Sequence, residues 1–173
     1  MKKYIFLWAI ILIAAGCKDE DEEKQSQVCS CSSTYTEYYD TTSTPSSIFI
    51  PNIFTPNGDG VNDIFYIYGQ GLSQTSIVIK DGTNIVFSSN NLSQGWDGSI
   101  NGNTPPACQT FDYFVDVTFA NGTSKHYENT VTVFRNEPAS ICPDSISKCV
   151  FPVQFDGTGA NTNFPTGEDL SGC

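Results

Sequence analysis

The residues of this chain best suited to chemistry are its cysteines and one short oxygen-rich loop. Seven Cys occur, at positions 17, 29, 31, 108, 142, 149 and 173, and they share the chain with a single His, His126. No Cys-x-x-Cys pair is present and His126 has no partner at metal-ligand spacing, so zinc is a poor fit. Disulfides are the better reading of Cys29, Cys31, Cys108, Cys142, Cys149 and Cys173, an even set in an exported chain. Their pairing is open. Cys29 and Cys31 stand two apart on extended chain, so their side chains face opposite ways and should take different partners.

The oxygen-rich loop runs from Thr55 to Asp63. Its Asn57-x-Asp59-Gly60-Val61-x-Asp63 spacing is similar to the middle of an EF-hand-like Ca²⁺ loop, where alternate oxygens surround a hard cation. Thr55 would stand at the first ligand position and Val61 would offer its carbonyl. The twelfth position is Tyr66 instead of a bidentate Glu, so Asp97 from a later Trp-Asp-Gly turn would have to contribute. The competing reading is a loop whose Asn and Asp side chains bond their own backbone, with Gly58 and Gly60 supplying positive φ. It is favoured because two Ca²⁺ ligands are absent.

Catalytic patterns are missing. There is no GxSxG, P-loop, HExxH or GxGxxG, and cysteines locked in bridges are no nucleophiles. The formal net charge is −11 with 8 Lys and Arg, which leaves no electrostatic footprint for nucleic acid. The expectation is a protein that is not an enzyme and needs no certain cofactor beyond a covalent lipid and, on the first loop reading, Ca²⁺.

The elements that position these residues begin with a leader. Lys2 and Lys3 precede an apolar run, Tyr4 to Ala15, too short to span a bilayer as a helix. Residues 1–16 therefore read as a signal peptide. Ala14-Ala15-Gly16-Cys17 resembles a bacterial lipobox, which implies acylation of Cys17 and anchoring in the outer membrane. The acidic run that follows, with Lys18, Asp19, Glu20 and Asp21 at its head, is a solvated spacer by composition. It also resembles the Bacteroidetes signal that sends lipoproteins to the outer face of that membrane.

Residues 17–46 show no apolar periodicity and read as a flexible stalk. Residues 47–135 read as antiparallel β structure. Ser47 to Phe54 alternates and contains Pro51, which suits an edge strand. Asp63 to Gly69 alternates as well. Ser76 to Lys80 and Asn84 to Ser88 flank Asp81-Gly82, a hairpin signal, and Thr110 to Phe119 and Ser124 to Arg135 flank Asn121-Gly122, a stronger one. Short strands with no 3.6 period argue an all-β, immunoglobulin-like antiparallel sandwich. Residues 136–173 read as an irregular tail pinned by disulfides. The Tyr of the stalk, Tyr35, Tyr38 and Tyr39, are expected to pack where it meets a neighbour. Asp40-Thr41-Thr42 and Asp144-Ser145-Ile146 resemble a short O-glycosylation motif, which would make Thr41 and Ser145 acceptors.

One ordered set of motifs is more specific. Phe54 to Asp63 reads FTPNGDGVND, followed by Gly95-Trp96-Asp97-Gly98, Asn101-Gly102, the aromatic run Phe111 to Val115 and the closing Thr130 to Arg135. This set resembles the gliding motility-associated C-terminal domain, or type B sorting domain, of the type 9 secretion system. The resemblance implies an immunoglobulin-like sandwich on a surface or secreted protein. Two departures stand out: Lys80-Asp81-Gly82 replaces an Arg-Trp-Gly turn, and 38 residues follow Arg135. The expected role is a surface lipoprotein acting as an adaptor of an outer-membrane complex for barrel assembly, secretion or gliding. Its partners would be an outer-membrane β-barrel or other surface lipoproteins. The alternatives are a type 9 cargo carrying a sorting domain and a glycan-binding module.

Overall fold

A computed structural model describes residues 29–31, 34–41, 44–104, 107–135 and 148–168. Cys17, Lys18, Asp19, Glu20, Asp21, Cys142, Ser145 and Cys173 lie outside the described residues.

The described residues form eight strands and no α-helix: β1 (Thr36–Asp40), β2 (Ser46–Ile50), β3 (Ile53–Phe54), β4 (Tyr68–Gln70), β5 (Leu72–Asp81), β6 (Asn84–Ser89), β7 (Cys108–Phe119) and β8 (Ser124–Phe134). They make a three-stranded sheet in the order β1-β2-β4 and a five-stranded sheet in the order β3-β8-β7-β5-β6. The two pack face to face as an immunoglobulin-like sandwich. Both expected hairpins are present. β5 and β6 close through Asp81↔Asn84, and β7 and β8 pair in register from Cys108↔Phe134 to Thr118↔Ser124. The second turn needs its glycine, because Gly122 sits at φ +84.

The core follows the two-residue period of the strands. Phe111, Tyr113, Val115, Val117 and Phe119 of β7 face inward, against Ile77 and Ile79 of β5, Val131 and Val133 of β8, and Ile48 and Ile50 of β2. Tyr113 is fully buried, and its hydroxyl crosses to the other sheet to meet Thr36 Oγ1 at 2.6 Å. Burial pushes that phenol up to about 12, so it stays neutral and serves as a tie between layers.

Four details differ from the sequence expectations. The segment read as stalk contains a strand, because β1 pairs with all of β2 and half-buries Thr36, Tyr38 and Asp40. Tyr38 packs 5.5 Å from Phe119, so it belongs to the sandwich. β2 is the centre of its sheet and not an edge, since Pro51 falls one residue past its end, where no ladder donor is needed. The chain switches sheets there, and β3 runs parallel to β8 in an otherwise antiparallel set. Finally, Asp63 to Gly69 is not one strand. Phe65 gives both its backbone groups to Trp96, at 2.9 and 3.0 Å, and pairing with β2 resumes only at Tyr68.

Among the described residues, 148–168, the tail is irregular, as expected, with one 3-10 turn at Pro152–Gln154, and it wraps the sandwich. Cys29–Cys108 and Cys31–Cys149 are bridged, so the neighbouring Cys29 and Cys31 do take different partners. With Ile53, Phe134 and Phe151 they form a second apolar cluster at the end of the sandwich. Beyond it the tail crosses the outer face of the three-stranded sheet. Phe155 stacks on Phe49, Ala160 N–H donates to Glu37 Oε1, and Gln70 Nε2 donates to the carbonyl of Gly157.

Candidate functional site: the 54–63 loop under the C-terminal tail

The loop between Phe54 and Phe65 is anchored by aromatic packing at both ends. The Phe54 and Phe65 rings lie 5.8 Å apart, and Trp96 sits 5.5 Å from Phe54 and 4.9 Å edge-on from Phe111. Trp96 is buried, and its indole N–H donates to the carbonyl of Ser99. This is why the Phe-Thr-Pro and Trp-Asp-Gly motifs belong together: they are two sides of one aromatic cluster. Gly98 is required there. It has φ +80, and a side chain would press on Pro56 and Phe54.

Within the loop the polar side chains serve the backbone. Asp63 accepts from Gly58 N–H and Gly60 N–H, both at 2.7 Å. Asn57 Oδ1 accepts from Asp59 N–H, and Asp59 Oδ1 accepts from Val61 N–H. Thr55 N–H closes the neck on the carbonyl of Asn62. The structure thus brings Asn57, Asp59, Val61 and Asp63 together as successive turns. It does not bring Asp97 into them, because that carboxylate accepts from Ser99 N–H and Ser99 Oγ. Those two bonds hold Asp97 below the usual carboxylate range, with Arg135 adding a smaller pull. Thr55 Oγ1 is turned away from the loop centre, to Glu168 Oε1 at 2.5 Å. Among the described residues no three His, Cys, Asp or Glu side chains are grouped to hold a metal ion.

The contacts that the sequence did not foretell come from the tail. Asn62 is buried at φ +49, and its amide joins three tail groups. Nδ2 donates to Thr166 O at 2.8 Å and to Glu168 Oε1 at 2.7 Å, while Oδ1 accepts from Val153 N–H at 3.1 Å. Asn52 acts likewise at the sheet switch. It exchanges bonds with Val150 and donates to Lys148 O at 2.5 Å. Only one local signal hinted at this docking, the apolar Val150-Phe151-Pro152-Val153 in an otherwise polar tail. Beside the junction lies an open groove of about 340 Å³ lined by Asp63, Ile64, Tyr66, Tyr68, Pro152 and Val153.

Thr41 is exposed just past β1. His126 lies on the outer face of the five-stranded sheet, with Nδ1 2.6 Å from Asp116 and Nε2 3.0 Å from Glu128. Both partners are carboxylates, and no nucleophile is bonded to the ring.

Residues 48–133 match the model of the CHU_C type IX secretion signal domain. No curated protein matches the chain. The match runs from within β2 to within β8 and includes the aromatic cluster that joins the FTPNGDGVND and Trp-Asp-Gly motifs, so the sandwich of this chain is similar to the type IX secretion signal domain.

Proposed function

We propose that this protein is a cargo of the type IX secretion system, and that its sandwich is the sorting module that directs it to the cell surface. The observation that carries this reading is the domain match over residues 48–133, with the family's loop and Trp-Asp-Gly turn intact around one aromatic cluster. It favours sorting over the adaptor role expected from the anchor and small size. In this reading the protein is non-enzymatic. The 54–63 side chains support their own backbone without a cation, and Cys17 carries a lipid that keeps the exported protein at the outer membrane.

The test separates the two possible routes. The full chain is expressed in a host that has the type IX system and in a matched host lacking it, and protease is added to whole cells. Surface exposure is expected only with the system present. Equal exposure in both hosts would sink the sorting reading. Replacing Lys18, Asp19, Glu20 and Asp21 by Ala then reports the lipoprotein route separately.

A further inference from the structure

Among the described residues, the part of the tail that is bonded to the 54–63 loop carries one disulfide to the body, Cys31–Cys149. From that link the chain runs through buried Val150 and Phe151, across Asn62 by way of Val153, over Phe49 by way of Phe155, and back to the loop neck at Thr166 and Glu168. Gly167 passes so close to Val61 that a side chain there would collide with it. The loop is thus covered at its neck and along Asn62, while its tip, residues 57–60, stays exposed. Glu168 receives both Thr55 and Asn62, the two side chains that leave the loop's internal turns unserved.

We propose that residues 148–168 are a strap that competes with the sorting machinery for the neck of the 54–63 loop, and that closure of Cys31–Cys149 sets the strap in place. This deepens the sorting reading above and rests on it. Joining the two cysteines oxidises two thiols to a disulfide. Two electrons and two protons pass to an oxidising disulfide of a thiol–disulfide exchange protein, which leaves as a dithiol. With Cys31–Cys149 open, the described contacts that seat the strap on the loop are hydrogen bonds and packing, and the Thr55 hydroxyl and Asn62 amide become available to a receptor. In the oxidised chain Glu168, Thr166 and Val153 occupy them. The bridge favours the closed form because it keeps Val150 and Phe151 beside their sites at high effective concentration.

The experiment uses the full chain in two arms. In the first, amide hydrogen exchange is followed on purified wild type, on the Cys31→Ser/Cys149→Ser double variant and on Glu168→Ala, which leaves both bridges intact. Exchange at Thr55, Val153 and residues 160–168 is expected to rise at least ten-fold more than exchange in β7 and β8 in the double variant, and several-fold in Glu168→Ala with β7 and β8 unchanged. No rise in Glu168→Ala, or a rise spread evenly over β7 and β8, overturns the strap. In the second arm a photo-crosslinking residue at Asp59 is used in cells. Both variants should capture type IX components several-fold more than wild type. Equal capture, in cells whose surface delivery of the protein still depends on that system, overturns the competition. Loss of that dependence overturns the sorting reading instead, and the first arm alone then decides the strap.

Discussion

The Phe155 ring lies parallel to Phe49, with centroids 5.7 Å apart and planes within 1°. Phe49 points away from the main core, yet it is wholly buried, because Tyr35, Tyr68 and Phe155 enclose it. A sheet face that would otherwise meet water is therefore the floor of a second apolar layer.

Phe155→Ala removes that cover. Phe155 is itself half-buried, so the loss should be below that of a core aromatic, about 2 kcal/mol. Urea unfolding of the variant is expected to show a lower midpoint, with near-UV signals of the Trp96 cluster retained. An unchanged midpoint would show that the stack contributes nothing.

The two bridges close long loops, with sequence separations of 79 and 118. In the chain-entropy model each removes unfolded-state freedom worth about 4.5 to 5 kcal/mol. Replacing Cys29 and Cys108 by Ser should cost about that much, and the β7–β8 hairpin should be the part that survives longest, since its ladder is the longest among the described residues. Denaturant melts of the paired variants, followed by hydrogen exchange, would check both statements.

His126 should report on its own hairpin. The hydrogen bonds to Asp116 first and Glu128 second raise it above its ordinary value of 6.5. A raised folded-state value means that the charged pair contributes fully below pH 6.5 and fades as pH climbs through the folded value. An NMR titration of the ring should show a midpoint above 6.5 that drops in Asp116→Asn. The difference in Tm between wild type and this variant should shrink from pH 6 to pH 8. The ring is half exposed, so the stability effect should be small.

Asp63 serves Gly58 and Gly60, so Asp63→Ala leaves two amides of the loop unserved by any side chain. These amides are exposed and water can replace the lost acceptor, which limits the cost to about 1 kcal/mol. Faster exchange at Gly58 and Gly60 with an unchanged β5–β8 sheet is the expected result. Because Asn57, Asp59 and Asp63 already accept loop amides, millimolar Ca²⁺ should leave wild-type Tm unmoved. A rise of several degrees would restore the Ca²⁺ reading of this loop.

Much of the sandwich could be read from the residues. Alternation fixes which face of a strand is buried, and Asp81-Gly82 and Asn121-Gly122 place the two hairpins, because both signals are local. The two-residue spacing of Cys29 and Cys31 likewise foretold that they take different partners, from strand geometry alone. The 54–63 loop and the Trp-Asp-Gly turn were legible for the same reason, as short patterns whose backbone needs particular glycines.

Tertiary structure alone decided everything that depended on a distant partner. β1 lacks any apolar run and exists because β2 offers it a full ladder. Phe65 pairs with Trp96 instead of extending a strand, because the aromatic cluster draws those two backbones together. The choice of Cys108 and Cys149 among the bridge partners, and the seat of Asn62 between Val153, Thr166 and Glu168, join residues that stand far apart in the chain. No periodicity or spacing carries such information, since a hydrogen bond or a bridge is selected by where folding brings its two ends and not by the residues beside either one.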